Sequence, residues 1–188
     1  DVEAFKTSPY YRGCLIEVDV MEDRERTATA PTSGGGSTRF NGVYRDAGFE
    51  FLAVVDEVDV PDDPNLTLAE VQQLLSQHRN ITPLGPYSWR LWALVGSRMG
   101  GTLGIMFDDQ APYREGAAAF YDPTLPSTSS IDPSAQGSPL GDVARAFLRT
   151  SLHEIGHCFN LYHPKHDTHS VPTGTTIMNQ TGDVMGFS

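Results

Sequence analysis

The sequence is poor in cysteine, in basic residues and in long apolar runs. Its two cysteines, Cys14 and Cys158, are too few for a disulfide-rich scaffold, and they could form one bond or remain two buried thiols. With 13 basic and 24 acidic residues, the net charge of −11 argues against nucleic acid or an anionic membrane as a partner. No apolar run approaches the length of a membrane span, and no signal-peptide pattern opens the chain.

The rest of the composition is that of a globular domain. Hydrophobic residues make up 39% and charged residues 20% of the chain, which are ordinary values for a folded domain. The length of 188 residues suits one domain, 1–188, with enough material to bury a core. The chain starts at Asp1 without Met, so we expect a mature or excised segment.

Most of the histidines lie in one stretch near the C-terminus, where they have metal-ligand spacing. His153 and His157 stand four residues apart, so a helix would present both imidazoles on one face to a single ion. Glu154 is rotated from that face, and its carboxylate could act as a general base on water bound to the ion. His163 can join them only if the chain leaves the helix and turns back. Asn160 is the predicted turn residue, because Asn tolerates the left-handed conformation better than most residues.

Other residues could substitute for the third ligand. His166 and His169 follow within a few residues, but the helix-turn geometry delivers His163 more directly. Asp167 is the nearest acidic candidate, since no Glu follows position 154. The remaining histidine, His78, is predicted to be an exposed helix residue.

This pattern resembles the extended zinc signature His-Glu-x-x-His-x-x-Gly-x-x-His of the metzincin metallopeptidases, in particular the matrixin and pappalysin groups. Asn160 stands where that family usually has Gly. The stretch TTIMNQ (175–180) is similar to the Met-turn of the family, which implies Met178 as the hydrophobic floor beneath the metal and Met185 as the second choice. Some members carry a Tyr two residues after this Met. Here that position is Gln180, which leaves the second oxyanion donor unidentified.

The hydrophobic pattern predicts alternating strands and helices. Strands are predicted at 14–20, 49–60, 88–95, 101–107 and 117–122, and helices at 40–47, at 67–79 and from a cap at Ser138 or Asp142 through the histidine motif. The first strand should have at least one buried face, Gly48 should end the first helix, and Thr67 and Glu70 should form a capping box at the start of the second. The buried side of the third helix is predicted to include Phe147, Leu148, Leu152 and Ile155. The glycine-rich stretch 27–38 is expected to be a flexible connection. The resemblance implies an α+β fold with a twisted, mostly parallel sheet, an antiparallel edge strand, a backing helix and an active-site helix. It further implies an upper lobe of about 1–159 and a small lower lobe of about 160–188 that carries the Met-turn.

The segment 101–107 is similar to the metzincin strand along which a substrate binds. By resemblance, the substrate backbone would lie along the edge formed by Gly101, Thr102, Leu103, Gly104 and Ile105. Glycines in an edge strand allow another backbone to approach closely. Three acidic residues of the neighbouring loops, Asp108, Asp109 and Asp122, could hold calcium, although acidic loop residues are usually only solvated.

The resemblance implies a secreted zinc endopeptidase that hydrolyses peptide bonds of a protein or peptide substrate. A water held on zinc by His153, His157 and His163 would attack the peptide carbonyl with Glu154 as general base. Two alternatives stay open: a peptide- or protein-binding module whose zinc site has low turnover, and a hydrolase of non-peptide amides. The oligomeric state is not predicted.

Overall fold

The chain alternates between strands and helices around one central sheet. A computed structural model describes residues 13–22, 24, 29–31, 37–46, 48–80, 89–108, 114–128, 131–163 and 177–179. In chain order the elements are β1 (Gly13–Met21), β2 (Thr29–Pro31), β3 (Ser37–Arg39), α1 (Phe40–Asp46), β4 (Glu50–Val60), α2 (Leu68–His78), β5 (Trp89–Gly96), β6 (Gly104–Met106), β7 (Gly116–Phe120) and α3 (Ala144–Cys158). A 3-10 turn, Leu140–Asp142, precedes α3.

Within the described residues, the main sheet has five strands in the order β4-β1-β5-β7-β6. The first four strands are parallel to one another, and β6 runs antiparallel to β7 at the edge. The predicted α+β class, with a mostly parallel sheet and an antiparallel edge strand, is therefore confirmed. The division into two lobes stays a prediction. Only 160–163 and 177–179 are described within the proposed lower lobe, 160–188.

The sheet is covered by helices on both faces, which explains why β1 is buried from Cys14 to Met21. Cys14, Ile16 and Val18 of β1 point into a core that they share with α3. The alternate residues of the strand face the side of α2, where Met21 packs with Val71 of that helix. The sequence predicted at least one buried face for this strand, and both faces are buried.

Two local signals identified helix ends correctly. Thr67 and Glu70 form the predicted capping box of α2: the Glu70 backbone N–H donates to Thr67 Oγ1 at 3.3 Å, and the Thr67 N–H donates to Glu70 Oε2 at 2.7 Å. Gly48, the predicted stop after α1, has φ +88°, a left-handed conformation that favours glycine. No helix in the described part of the chain is both long and apolar enough to cross a membrane.

Several predictions about connecting segments were wrong. The stretch expected to be a flexible connection contains β2 and β3, which form a two-stranded antiparallel ladder. The strand predicted at 101–107 covers only Gly104–Met106, because Gly101 and Thr102 lie in a turn that the Thr102 N–H closes on Met99 O at 3.1 Å. Neither Ser138 nor Asp142 caps α3: its first turn follows Val143, which makes no side-chain cap bond.

The structure also decides the alternative left open for the cysteines and tests the prediction for His78. Cys14 and Cys158 are both free and buried, so they do not form a disulfide. Burial raises the pKa of each thiol, which keeps both protonated at neutral pH. His78 is partly buried at the end of α2 rather than exposed.

Candidate metal centre

Helix α3 carries the histidine motif and is buried along most of its length. Phe147, Leu148, Leu152 and Ile155 form its predicted apolar side and are buried in the core beneath the sheet. A hydrogen bond from Tyr44 Oη of α1 to the backbone carbonyl of Leu152, 2.6 Å long, also holds the helix. A helix fixed in this way can hold its ligands in defined rotamers.

The turn that ends α3 is formed by Asn160. Its φ of 62° is the left-handed conformation predicted for this position. The Leu161 N–H donates to Gly156 O at 3.1 Å, and the Asn160 N–H donates to His157 O at 3.0 Å. These two bonds make a Schellman motif with Asn in the place that Gly usually takes. The motif reverses the chain and brings His163 back to the helix.

Three imidazoles converge at this turn. The distance from His153 Nε2 to His163 Nε2 is 2.8 Å, from His157 Nε2 to His163 Nε2 3.0 Å, and from His157 Nε2 to His153 Nε2 3.2 Å. These residues form the only group in the described part of the chain that could hold a metal ion. His153 is buried, whereas His157 and His163 are partly exposed.

The other ring nitrogens of the two helical histidines fix their tautomers. His153 Nδ1 lies 2.7 Å from Ile177 O, and His157 Nδ1 lies 2.8 Å from Leu161 O. A carbonyl oxygen can only accept, so each Nδ1 carries the proton and donates it. In the neutral ring the Nε2 atom then holds a lone pair, as a metal ligand must. Both lone pairs are directed into the space shared with His163.

This donor set fits a zinc-like ion. Three imidazole nitrogens are the ligands of many catalytic zinc sites, and in a tetrahedral site with bonds of 2.0–2.1 Å the ligand nitrogens lie about 3.3 Å apart. The distances in this chain are 2.8–3.2 Å. Burial, the largest cause, lowers the pKa of His153 to about 4, so the ring is neutral at physiological pH. Deprotonated ligands that already face one another need little rearrangement to bind a cation.

Glu154 is buried beside the imidazoles and lies against β6. Burial raises the pKa of its carboxyl to about 8, although the Met106 backbone N–H donates to the carboxylate and opposes this shift. A Cβ placed on Gly104 would lie 2.8 Å from Glu154 Cγ, so the β6 backbone passes directly over this side chain. The absence of a side chain at position 104 therefore makes room for Glu154.

Met178 lies against α3 on the C-terminal side of His153. It is buried, and its Sδ would be only 2.5 Å from a Cβ placed on Gly156. Ile177 accepts the bond from His153 Nδ1, so the 177–179 segment contacts the helix at a ligand and at a glycine. This position beside the imidazoles is compatible with the Met-turn role predicted for Met178.

The predicted calcium ligands are not assembled in the described residues. Asp122 makes an ion pair with Arg24 at 3.0 Å, and Asp108 Oδ2 accepts the Glu115 N–H at 3.0 Å. Several residues considered from the sequence lie outside the described part of the chain: Asp109, His166, Asp167, His169, Gln180 and Met185. Of the predicted edge, Leu103 O accepts the Phe120 N–H at 2.9 Å, whereas Gly101 lies in the preceding turn.

Sequence reasoning missed the groups that orient the ligands. The carbonyls of Ile177 and Leu161 are backbone atoms, and no residue type marks them in the sequence. Arg149, which donates to Asn179 O at 3.2 Å, was also missed. Its position four residues before His153, on the same helix face, is the signal that could have identified it.

Comparisons with known protein families, with curated proteins and with solved structures found no match to this chain.

Proposed function

We propose that this chain is a zinc-dependent endopeptidase with the architecture of the metzincin clan. The observation that carries the proposal is the approach of three imidazole Nε2 atoms to within 3.2 Å of one another, with the carboxylate of Glu154 on the helix that carries two of them. The sequence pattern at 153–163 supports the family, as do the antiparallel edge strand and the position of Met178. Secretion is part of the proposal on the resemblance alone.

In this proposal His153, His157 and His163 hold the ion, and their backbone partners fix the rings. The ion, when bound, would act as a Lewis acid: it would lower the pKa of a water molecule bound to it towards neutrality and would polarise the scissile carbonyl. Three protein ligands are the number typical of catalytic zinc sites, which keep one position for water or substrate. A structural zinc site would use four protein ligands.

Glu154 is the general base of the proposed reaction. It takes a proton from the attacking water and returns it to the departing amine. Burial, which raises the pKa of its carboxyl to about 8, makes the residue able to accept and return a proton near neutral pH. A cation bound beside it would lower that pKa by favouring the carboxylate. Burial and a bound cation therefore shift the pKa of Glu154 in opposite directions.

The substrate is proposed to add as a strand to β6. Among the strands that the structure describes, β6 is the last of the sheet, and it pairs with β7 on one side. Its backbone also lies against Glu154 at Gly104, so a peptide added along β6 would run past the proposed base. Backbone hydrogen bonds would supply affinity and side-chain pockets specificity, as in other cases of strand addition.

Cleavage of unfolded casein by the zinc-loaded protein tests this proposal. We expect the wild type to cleave, chelator treatment to stop cleavage, and added zinc to restore it. Glu154→Gln should keep full zinc content and lose about 10²–10⁴-fold in kcat/KM. Glu70→Gln is the matched control, because Glu70 lies on α2 and should leave kcat/KM unchanged. Full zinc loading with no cleavage of casein or of a peptide library would favour the binding module, and the proposal would fail.

A further inference from the structure

Arg149 lies on α3 one turn before His153, and both side chains hold the same short segment. Arg149 Nη2 donates to the backbone carbonyl of Asn179 at 3.2 Å, and His153 Nδ1 donates to that of Ile177 at 2.7 Å. Residues four apart on a helix project from one face, so the pair makes two parallel attachments. The accepting carbonyls are two residues apart in the chain.

A third contact completes the attachment of this segment. Met178, between the two accepting residues, packs its sulfur against Gly156. The segment 177–179 is therefore held from residue 149 to residue 156 of the helix, which is about 10 Å of its axis. Because the Ile177 carbonyl is the acceptor that orients His153, the orientation of a metal ligand depends on how firmly this segment is held.

We infer that Arg149 is a positioning residue of the metal centre: by holding the carbonyl of Asn179, it fixes the 177–179 segment and through it the ring of His153. This inference rests on the metal centre of the proposed function. It concerns metal affinity, so it can be tested without measuring cleavage.

The positive charge of Arg149 determines which change in zinc affinity would support the inference. Besides burial, which is the largest cause, the positive charge of Arg149 contributes to lowering the pKa of His153. A cation this close also repels a bound dication, so removing it should by electrostatics alone strengthen metal binding. In a variant that still folds, weaker binding after its removal would therefore indicate lost positioning.

The experiment compares Arg149→Met with Arg145→Met in the full chain. Arg145 lies one turn earlier on α3 and is exposed, so its replacement removes the same charge without touching the segment. Zinc affinity is measured by competition with a chromophoric chelator, and the absorption spectrum of the cobalt-substituted protein reports ligand geometry. We expect Arg149→Met to bind zinc about tenfold more weakly and to change the cobalt spectrum. Arg145→Met should match the wild type in both measurements.

A conservative pair of variants guards against loss of folding. Arg149→Lys keeps the charge with a single donor group, and its zinc affinity should fall between those of the wild type and Arg149→Met; Arg145→Lys is its control. Zinc binding by Arg149→Met and Arg149→Lys as tight as that of the wild type, or tighter, would overturn the inference. Equal weakening in the two Arg145 variants would do the same. A wild type that binds no metal would instead overturn the proposed function itself.

Discussion

The two faces of the sheet bury polar groups in different ways. On the side of α2, buried carboxylates meet donors from the chain: Glu17 accepts the Asn80 N–H at 2.9 and 3.0 Å, and Asp19 accepts Trp92 Nε1–H at 2.7 Å. On the side of α3, the Nε2 lone pairs of His153 and His157 face each other at 3.2 Å. In the first arrangement each carboxylate accepts at least one hydrogen bond from the protein, and we interpret it as structural. The second brings acceptors together in a way that a bound cation would stabilise, which is why the proposed function is located on this face.

Glu115, on the α2 side of the sheet, is another carboxylate whose partners are provided by the protein. Glu115 makes ion pairs with Arg79 and, at 2.9 Å, with Arg90. Partly buried charges are tolerated when they are paired and hydrogen-bonded in this way. A buried polar group is thus a weak sign of function by itself. The informative feature is a set of acceptors directed at one another.

Among the variants that test this contrast between the two faces, His163→Ala should have the largest effect on zinc affinity. Loss of this ligand should weaken zinc binding more than roughly 100-fold, because losing even an orienting group outside the ligand set costs about 10–100-fold. His78→Ala, which removes a partly buried histidine from α2, should leave zinc affinity unchanged. Isothermal titration of chelator-treated protein with zinc measures both. Similar affinities for the two variants would contradict the assigned ligand set.

Gly104→Ala tests the packing of β6 over Glu154. A Cβ at this position would lie 2.7 Å from Thr150 Cγ2 and 2.8 Å from Glu154 Cγ, so the strand or the carboxylate must shift. Urea denaturation should show a loss of about 1–3 kcal/mol in the free energy of unfolding, together with lower peptidase activity. Gly101→Ala is the control, since a Cβ there meets no described atom within 4 Å. Two equally stable variants would show that β6 does not constrain Glu154.

The stability of the metal-free protein should depend on pH through Glu154 and His153, two buried titratable groups on α3. Burial raises the pKa of Glu154 from 4.5 to about 8, so its contribution to stability is present below pH 4.5 and is lost as the pH rises through 8. Burial lowers the pKa of His153 from 6.5 to about 4, so its contribution is present above pH 6.5 and is lost as the pH falls through 4. Of these two groups, only Glu154 changes the stability between pH 6.5 and 8.

We therefore expect the free energy of unfolding of chelator-treated protein to fall between pH 6.5 and 8, by up to about 1.4 kcal/mol per pH unit from this residue. Glu154→Gln should remove this part of the slope, because an amide does not titrate. Urea denaturation at several pH values measures the difference between the two proteins. Parallel curves for wild type and variant would mean that burial does not perturb this carboxyl.

The smallest effect is expected on the other face of the sheet. In Glu17→Gln one of the two carboxylate oxygens that accept the Asn80 N–H becomes an amide nitrogen, which cannot accept. The free energy of unfolding should fall by about 1 kcal/mol, while zinc affinity stays at the wild-type value. Thermal unfolding and zinc titration check the two statements. A loss of zinc binding in this variant would show that the α2 side also affects the metal centre, and would contradict the contrast between the two faces.

The sequence predicted those parts of the fold and site that local chemistry decides. The capping box at Thr67 and Glu70, the left-handed turn at Asn160 and the shared face of His153 and His157 all follow from neighbouring residues, and the structure contains each of them. The family assignment, the zinc identity and the substrate class stay predictions.

The parts that could not be predicted depend on contacts between distant segments. Which carbonyl meets the Nδ1 of His153 is decided where the chain returns at Ile177, 24 residues later. The early end of β6 follows from a turn between Met99 and Thr102 rather than from the apolar pattern that extended the predicted strand. The start of α3 without a side-chain cap at Val143 likewise has no signal in the sequence, since a 3-10 turn leads into the helix.

The proposed function depends most directly on three imidazoles holding one zinc ion. Zinc K-edge X-ray absorption of protein purified without chelator, combined with elemental analysis, tests this in one sample. We predict one zinc per chain, bound through three imidazole nitrogens at about 2.0–2.1 Å and one oxygen ligand from water. An absence of zinc, or a sulfur shell at about 2.3 Å that would assign the ion to Cys14 or Cys158, would contradict the account.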